Sequence, residues 1–461
     1  MPQKRLVAFA LPLLALIQVA AAPPHDPEKL RESALNDDVA LSLAASLTTE
    51  IGPRAAGSEA EARARAWAVA KLKGLGFKNV RIETFDLPTW QRGEERGALT
   101  LPYAQPLALT ALGNSGATPA TGLEAPVVVF KSVADLEAAT PAAVAGKIVY
   151  VGHEMRPAQD GSSYGYFGPV RRSAPNIAAK KGAAAIVIRS LGTDSHRLPH
   201  TGTTNFETGV SAIPAAALSN PDADLIERIA GSGKELRLRL LLTPRQIGVR
   251  QSGNVIAEVP GSDPAAGIVA IGGHLDSWDL GTGAIDNAAG IAITAAAAKR
   301  IMAAGTPKRT IRVIWFGSEE VGGVGGKAYF DAHKAEPHAV VAESDFGADR
   351  IWRVQVKLPA TAEPVAARLE RALAPLGIGR GRSPAGAGAD LGPWVRAGTS
   401  GVDLNQDGTR YFDLHHTADD TFDKIDPVQL RQNVAAWTAM LAVVANADEP
   451  LLNQNSLTDA R

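Results

Sequence analysis

A histidine and three carboxylates crowd into one short stretch, "GGHLDSWDLGTGAIDNAAG" from Gly272, which places His274, Asp276, Asp279 and Asp286 among glycines and alanines directly after the apolar run "GIVAIGG". The pattern recurs. "RTIRVIWFG" runs into Ser318, Glu319 and Glu320, "AVVAES" runs into Asp345, and a late loop, "YFDLHHTADDT", carries His415 and His416. Any one of these reads as a solvated loop or a helix cap; four of them together pose a question of metal chemistry. A pair of divalent ions needs a bridging carboxylate, an imidazole and a carboxylate for each ion, and an open position for water. His274, Asp286, Glu320, Asp345 and His416 are the right types in the right number. Glu319 is left over beside a ligand, where a general base would sit. The segment "AESD" also offers Glu343, and strand alternation puts Glu343 and Asp345 on one face, so periodicity does not separate them.

The elements that must position these groups belong to a chain of 461 residues, 45% hydrophobic and 21% charged, long enough for a large core and more than one domain. A formal net charge of −1 and the lack of a basic run give no footprint for nucleic acid. There is no cysteine, so any metal must be held by His, Asp and Glu, which favours zinc, manganese or similar ions over thiolate-bound clusters. At the N-terminus Lys4 and Arg5 precede an apolar stretch from Leu6 to about Val19. This is a signal-peptide pattern, with Val19 and Ala21 suited to a cleavage site near residue 21 and an apolar run too short to span a bilayer. Its removal takes the formal charge to −3, leaves no membrane association, and implies a secreted or periplasmic protein.

Further along, "SEAEARARAWAVAKLKGLGF" predicts a helix capped by Ser58, with Glu61 completing a capping box and Gly74 at its C-terminal end. "FKNVRIETFDL" alternates as a strand. From Pro102 to Pro244 short apolar runs, "APVVVF", "GKIVYVG", "AAAIVIRS" and "IPAAALS", alternate with turn-rich segments, predicting a small β-rich inserted domain over 102–244. Residues 22–101 and 245–461 then form one α/β domain, whose strands "NVIAEV", "GIVAIGG", "TIRVIWFG" and "AVVAES" lack period-2 alternation. Such strands fit a mainly parallel central sheet flanked by helices, with ligands gathered at the carboxyl ends of its strands.

In order, "GGHLDSWDLGTGAIDNAAG", "WFGSEEVGGVGG", "AESDFG", "SPAGAGADLGPW" and "HHTADDT" resemble the signature segments of the M28 family of zinc exopeptidases, and within it the plasma glutamate carboxypeptidase (carboxypeptidase Q) group of dipeptidases. The resemblance covers essentially everything after the leader, because that group also carries a protease-associated domain inserted ahead of its first metal histidine. It implies two Zn2+ ions, one held by His274 and Asp345, the other by Glu320 and His416, with Asp286 bridging. It implies that Glu319 takes a proton from the bridging water, and that the carboxylate of Asp276 accepts the other ring N–H of His274. Because the family's ligand histidine directly precedes a threonine or serine, the resemblance also implies that His416 is the ligand of its pair and that His415 lines the pocket. The glycine-rich run before Asp390 fails as a phosphate cradle, since no Lys-Ser or Lys-Thr pair follows, and the resemblance implies instead that Gly388 and Asp390 border the substrate pocket. A cis Asp286–Asn287 peptide is also implied. Asp279, Asp419 and Asp420 read as turn or cap residues.

The expected function is hydrolysis of dipeptides or short peptides, with the insert covering the cleft and limiting substrate length, and a homodimer stays open. Two other readings compete: a non-catalytic binding ectodomain of the same fold, which a metal assay separates, and a glutaminyl cyclase-like transferase with one zinc, which metal stoichiometry separates.

Overall fold

The computed structural model describes residues 25–452; the expected leader, residues 1–21, lies outside them. Two eight-stranded sheets flanked by helices make up the mixed α/β fold. The first runs in the order Lys78–Gln91, Arg245–Val259, Thr310–Phe316, Ile268–His274, His338–Glu343, Ser400–Gln406, Ile351–Lys357, Gly379–Arg380. Its four middle strands, from Thr310–Phe316 to Ser400–Gln406, pair in parallel, whereas the two strands before them pair antiparallel. The middle strands are buried nearly throughout, which is why their sequences read as continuous apolar runs.

Helix Ala289–Ala304 is buried along most of its length, its alanines leaving little bulk between helix and neighbours. Helix Pro427–Val444 packs beside it and is buried almost all round. Ser58 caps helix Glu59–Gly74 by accepting from the Glu61 amide, but the Glu61 carboxylate reaches one residue further back, to the amide of Gly57 (2.9 Å), and to Ser252 Oγ (2.7 Å). Gly74 closes the last turn, and the left-handed residue beyond it is Gly76 (φ 95°). Among the described residues, no helix is long and apolar enough to cross a membrane.

The second sheet is larger and less purely β than the sequence suggests. It runs Gln105–Leu107, Glu95–Leu101, Arg237–Leu242, Leu123–Phe130, Ile148–Val151, Ala185–Arg189, Ala215–Leu218, Leu109–Ala111, and its strands from Leu123 to Leu218 are parallel, with helices in the first two of their three connections. Glu95–Leu101 belongs here, paired with Arg237–Leu242, so this sheet begins before Pro102. Strands Lys78–Gln91 and Arg245–Val259 lie side by side as a long antiparallel arm, and the chain leaves for the second sheet and returns from it along that arm.

Candidate metal centre

His274 ends strand Ile268–His274 and is almost fully buried. Its Nε2 lies 3.0 Å from Asp286 Oδ1 and 3.2 Å from Asp345 Oδ1. Asp286 sits in irregular backbone ahead of helix Ala289–Ala304, where the Asp286–Asn287 peptide is cis and neither residue has helical dihedrals, so the helix begins only beyond them. The other oxygen of Asp286, Oδ2, faces a second set: His416 Nε2 at 3.3 Å and His415 Nε2 at 3.6 Å. His416 Nε2 is in turn 2.9 Å from Glu320 Oε2. Asp286 therefore joins a His274–Asp345 group to a His416–Glu320 group.

Three clusters have donor atoms within 4.8 Å of one another: His274, Asp286 and Glu320; His274, Glu319 and Asp345; and Asp286, His415 and His416. Asp286 Oδ2 and Glu320 Oε1 are buried and accept no hydrogen bond, a costly state for carboxylate oxygens unless a cation meets them. Burial and the neighbouring carboxylates hold Glu319 well above the ordinary carboxylate range and raise Glu320. On Asp286 burial is outweighed by His274, His416 and His415, which hold it well below that range. Burial opposes charge on His274 and His416, yet Asp345 and Asp286 raise the first, and Glu320 and Asp286 the second, well above normal. Carboxylates outnumber imidazoles, and the donors are all nitrogen and oxygen, a set that fits zinc or a similar divalent ion.

The supporting residues depart from expectation in places. The ring Nδ1 of His274 lies 3.0 Å from the backbone carbonyl of Asp276 and 3.7 Å from its carboxylate, so the carbonyl is the acceptor. The Asp276 carboxylate instead accepts the amides of Glu319 (3.2 Å) and Glu320 (3.3 Å), and burial pushes its pKa up to about 7. It thus holds the backbone of both glutamates. Glu343 is the last residue of its strand and turns away, accepting the amides of Asp390 and Leu391, whereas Asp345 lies beyond the strand end, where alternation no longer applies. Gly388 is left-handed (φ 72°), a Cβ there would run into the Glu343 side chain, and with Glu343, Asp345, Arg353, Asp403 and Asn405 it lines a cavity of about 180 Å³. Asp390 is buried beside it and accepts the amide of Gly326. His415 stacks on His416 at 3.5 Å between ring centroids, and burial together with His416 holds its pKa well below normal.

Residues read only as turn or cap residues, and others that the sequence did not single out, support the centre. Asp279 forms an ion pair with Arg92 (2.8 Å). Asp420 accepts the amides of Ala284 and Ile285 beside Asp286. Arg54 is fully buried and donates to the carbonyls of Gly52, Leu275, Thr282 and Gly283. Arg171, His200, Thr201 and Thr203 reach the centre from the second-sheet region. Of these, Asp279 and Asp420 carried a local signal, each an acidic residue close to a ligand in the chain.

Residues 254–441 match the model of peptidase family M28. Over 408 residues the chain is 34% identical to carboxypeptidase Q of Bos taurus, covering 88% of this chain and 85% of that protein. The chain belongs to peptidase family M28. A solved M28 peptidase precursor from Shewanella amazonensis SB2B is 44% identical, with a TM-score of 0.90 over 92% of this chain and 97% of that one. BSAP, a zinc aminopeptidase from Bacillus subtilis, shares the fold at 20% identity, with a TM-score of 0.63 over 89% of this chain and 98% of that one. This M28 member is a metallopeptidase, and the His274–Asp286–His416 cluster falls inside the matched residues.

Proposed function

We propose that this M28 peptidase is a secreted or periplasmic binuclear zinc exopeptidase that hydrolyses dipeptides or short peptides, with Glu319 as general base. One observation carries the reading: Asp286 presents its two oxygens to two separate imidazole–carboxylate groups. On that basis His274 and Asp345 would hold one ion, His416 and Glu320 the other, and Asp286 both. Ions of this kind polarise a peptide carbonyl and lower the pKa of water toward neutrality.

The chain itself supplies the rest. The Glu319 carboxylate clusters with His274 and Asp345, and no hydrogen bond to it is made among the described residues, so its oxygens are free to take up a proton and return it to the leaving amine nitrogen. Asp276 fixes the Glu319 and Glu320 amides, so base and ligand move as one unit. Contacts of the second-sheet region with the segment just before the His415–His416 pair support its role as a cover: Gln159 bonds to Asp407 and Gly408, and Tyr164 stacks on Phe412. That cover suits small substrates whose ends are recognised.

Titration of metal-free protein with zinc tests the reading together with a dipeptide library bearing free or blocked termini. About two equivalents bound, and turnover that depends on a free terminus, are expected. One equivalent at saturation, or turnover indifferent to both termini, overturns it.

A further inference from the structure

Taking the two-ion reading as its basis, we infer that residues 193–204, in the second-sheet region, hold His416 in its ligating orientation, and that a buried Asp194–His200 pair anchors this strap. These positioning residues lie outside the stretch that matches the family model.

His416 sits in the left-handed region (φ 61°), which a residue with a Cβ adopts only where its surroundings enforce it. The enforcing contacts come from the strap. The amide of Thr201 donates to the His416 carbonyl (3.0 Å), and His416 Nδ1 donates back to the Thr201 carbonyl (3.2 Å). A carbonyl only accepts, so that contact favours the proton on Nδ1, which Arg171 Nη1 also approaches (3.3 Å), and leaves Nε2 to face Asp286 and Glu320. Arg171 adds a bond to the same Thr201 carbonyl (3.2 Å), and Thr203 Oγ1 donates to the Glu320 carbonyl (2.7 Å). Further along, the Thr193 amide donates to the Phe412 carbonyl (3.1 Å) and its hydroxyl to Asp413 (2.7 Å). One short segment thus grips both halves of the His416–Glu320 group.

His200 is the point where this grip is fixed. Its Nδ1 lies 2.7 Å from the His415 carbonyl and its Nε2 lies 2.5 Å from Asp194 Oδ2. Both side chains are 1% exposed. Both ring nitrogens face acceptors, so the buried ring leaves neither nitrogen unpaired and gives the buried Asp194 carboxylate a partner. Gly192 leaves room for the ring, since any Cβ there would overlap it. The His415 carbonyl precedes the His416 amide in one peptide unit, so a ring locked onto that carbonyl fixes the plane from which the His416 side chain departs.

Two conservative variants separate positioning from packing. Asn can keep a donor near the place of Nδ1, and so the bond to His415; Gln can keep a donor near Nε2, and so only the bond to Asp194. Competitive zinc titration of the full-length protein against a chromophoric chelator reads the two affinities. We expect His200→Gln to weaken one ion, the one also lost in Glu320→Gln, by about 10- to 100-fold, the range for residues that orient a ligand. The other ion should stay unchanged, and His200→Asn should regain most of the loss. Thr203→Val should weaken the same ion by a smaller factor and carries the test if the His200 variants fail to fold. Equal affinities for Asn, Gln and wild type overturn the inference, and so does equal weakening of both ions in parallel with a fall in Tm. A wild type that binds a single ion refutes the two-ion reading by itself; the strap then stands or falls on whether His200→Gln weakens that ion.

Discussion

Glu319 and Glu320 are chemically identical neighbours, and replacing each by glutamine should give opposite results. The Glu319 side chain has no hydrogen bond among the described residues to lose, and in the ion-free protein its carboxyl is held well above the normal range by burial and by Asp345, Glu320 and Asp276. A carboxyl whose folded pKa lies above its unfolded value is stabilising only below the unfolded value and costs stability once pH rises past it. Glu319→Gln removes that cost, so the metal-free variant should be at least as stable as wild type at pH 7. Both ions should remain, and kcat should fall by roughly 10² to 10⁴, about 2.7 to 5.5 kcal/mol of barrier, because an amide cannot accept the proton. Glu320 Oε2 faces His416 Nε2 at 2.9 Å, so Glu320→Gln should release one ion and lose activity with it. Inductively coupled plasma analysis of the purified variants, beside steady-state kinetics, reads both. If Glu319→Gln sheds an ion, or keeps near-full activity with both bound, the assignment of the base is wrong.

The other expectations are structural. Asp420→Ala leaves the buried amides of Ala284 and Ile285 without their acceptor and should cost about 2 to 6 kcal/mol, read as a lower urea midpoint, with Asp420→Asn losing less. The Arg92–Asp279 pair is 11% and 28% exposed and joins the first ligand loop to the second-sheet region; a double-mutant cycle with Arg92→Met and Asp279→Asn should return a coupling of about 1 to 3 kcal/mol, and a value near zero would reduce it to an ordinary surface pair. His153 is buried and neutral, its Nε2 donating to Ser190 and its Nδ1 accepting from Met155, and burial lowers its pKa to about 4. The unfolded chain takes up that proton near pH 6.5 and the folded one resists until about 4, so stability should fall by roughly 3 kcal/mol as pH drops through that window. His153→Gln should flatten that slope, and an unchanged slope rejects the assignment.

What the sequence made legible follows from how each residue is held. His274 ends a buried strand, and Glu320 and Asp345 follow others, and middle strands of a parallel sheet deliver their ends to one edge. An apolar run followed by a carboxylate is therefore a readable signal. Alternation could not separate Glu343 from Asp345 because the strand stops between them, at a boundary set by pairing with Ile268–His274. The carboxylate of Asp276 was expected on His274, yet the acceptor is its own carbonyl, and a backbone contact leaves no side-chain trace. The composition shift at Pro102 hid Glu95–Leu101, which joins the second sheet only through a partner far away in sequence, Arg237–Leu242.

The two ligands that do not follow strands show why the rest was hidden. Asp286 and His416 lie on irregular backbone, one with non-helical dihedrals and one left-handed, and such backbone lacks the ladder bonds that hold a strand end in place. Its bonds come from elsewhere: Arg54 on three carbonyls of the first ligand loop, Asp420 on two amides beside Asp286, Thr201 and His200 on the His415–His416 turn. Arg54, His200 and Thr201 lie far from these loops in the chain, and none is a metal-binding type at a telling spacing. A ligand set can be read from residue types at strand ends, but the groups that orient the loop-borne ligands are chosen by tertiary proximity. This explains why a segment expected only to cover the cleft supplies the backbone partner of His416.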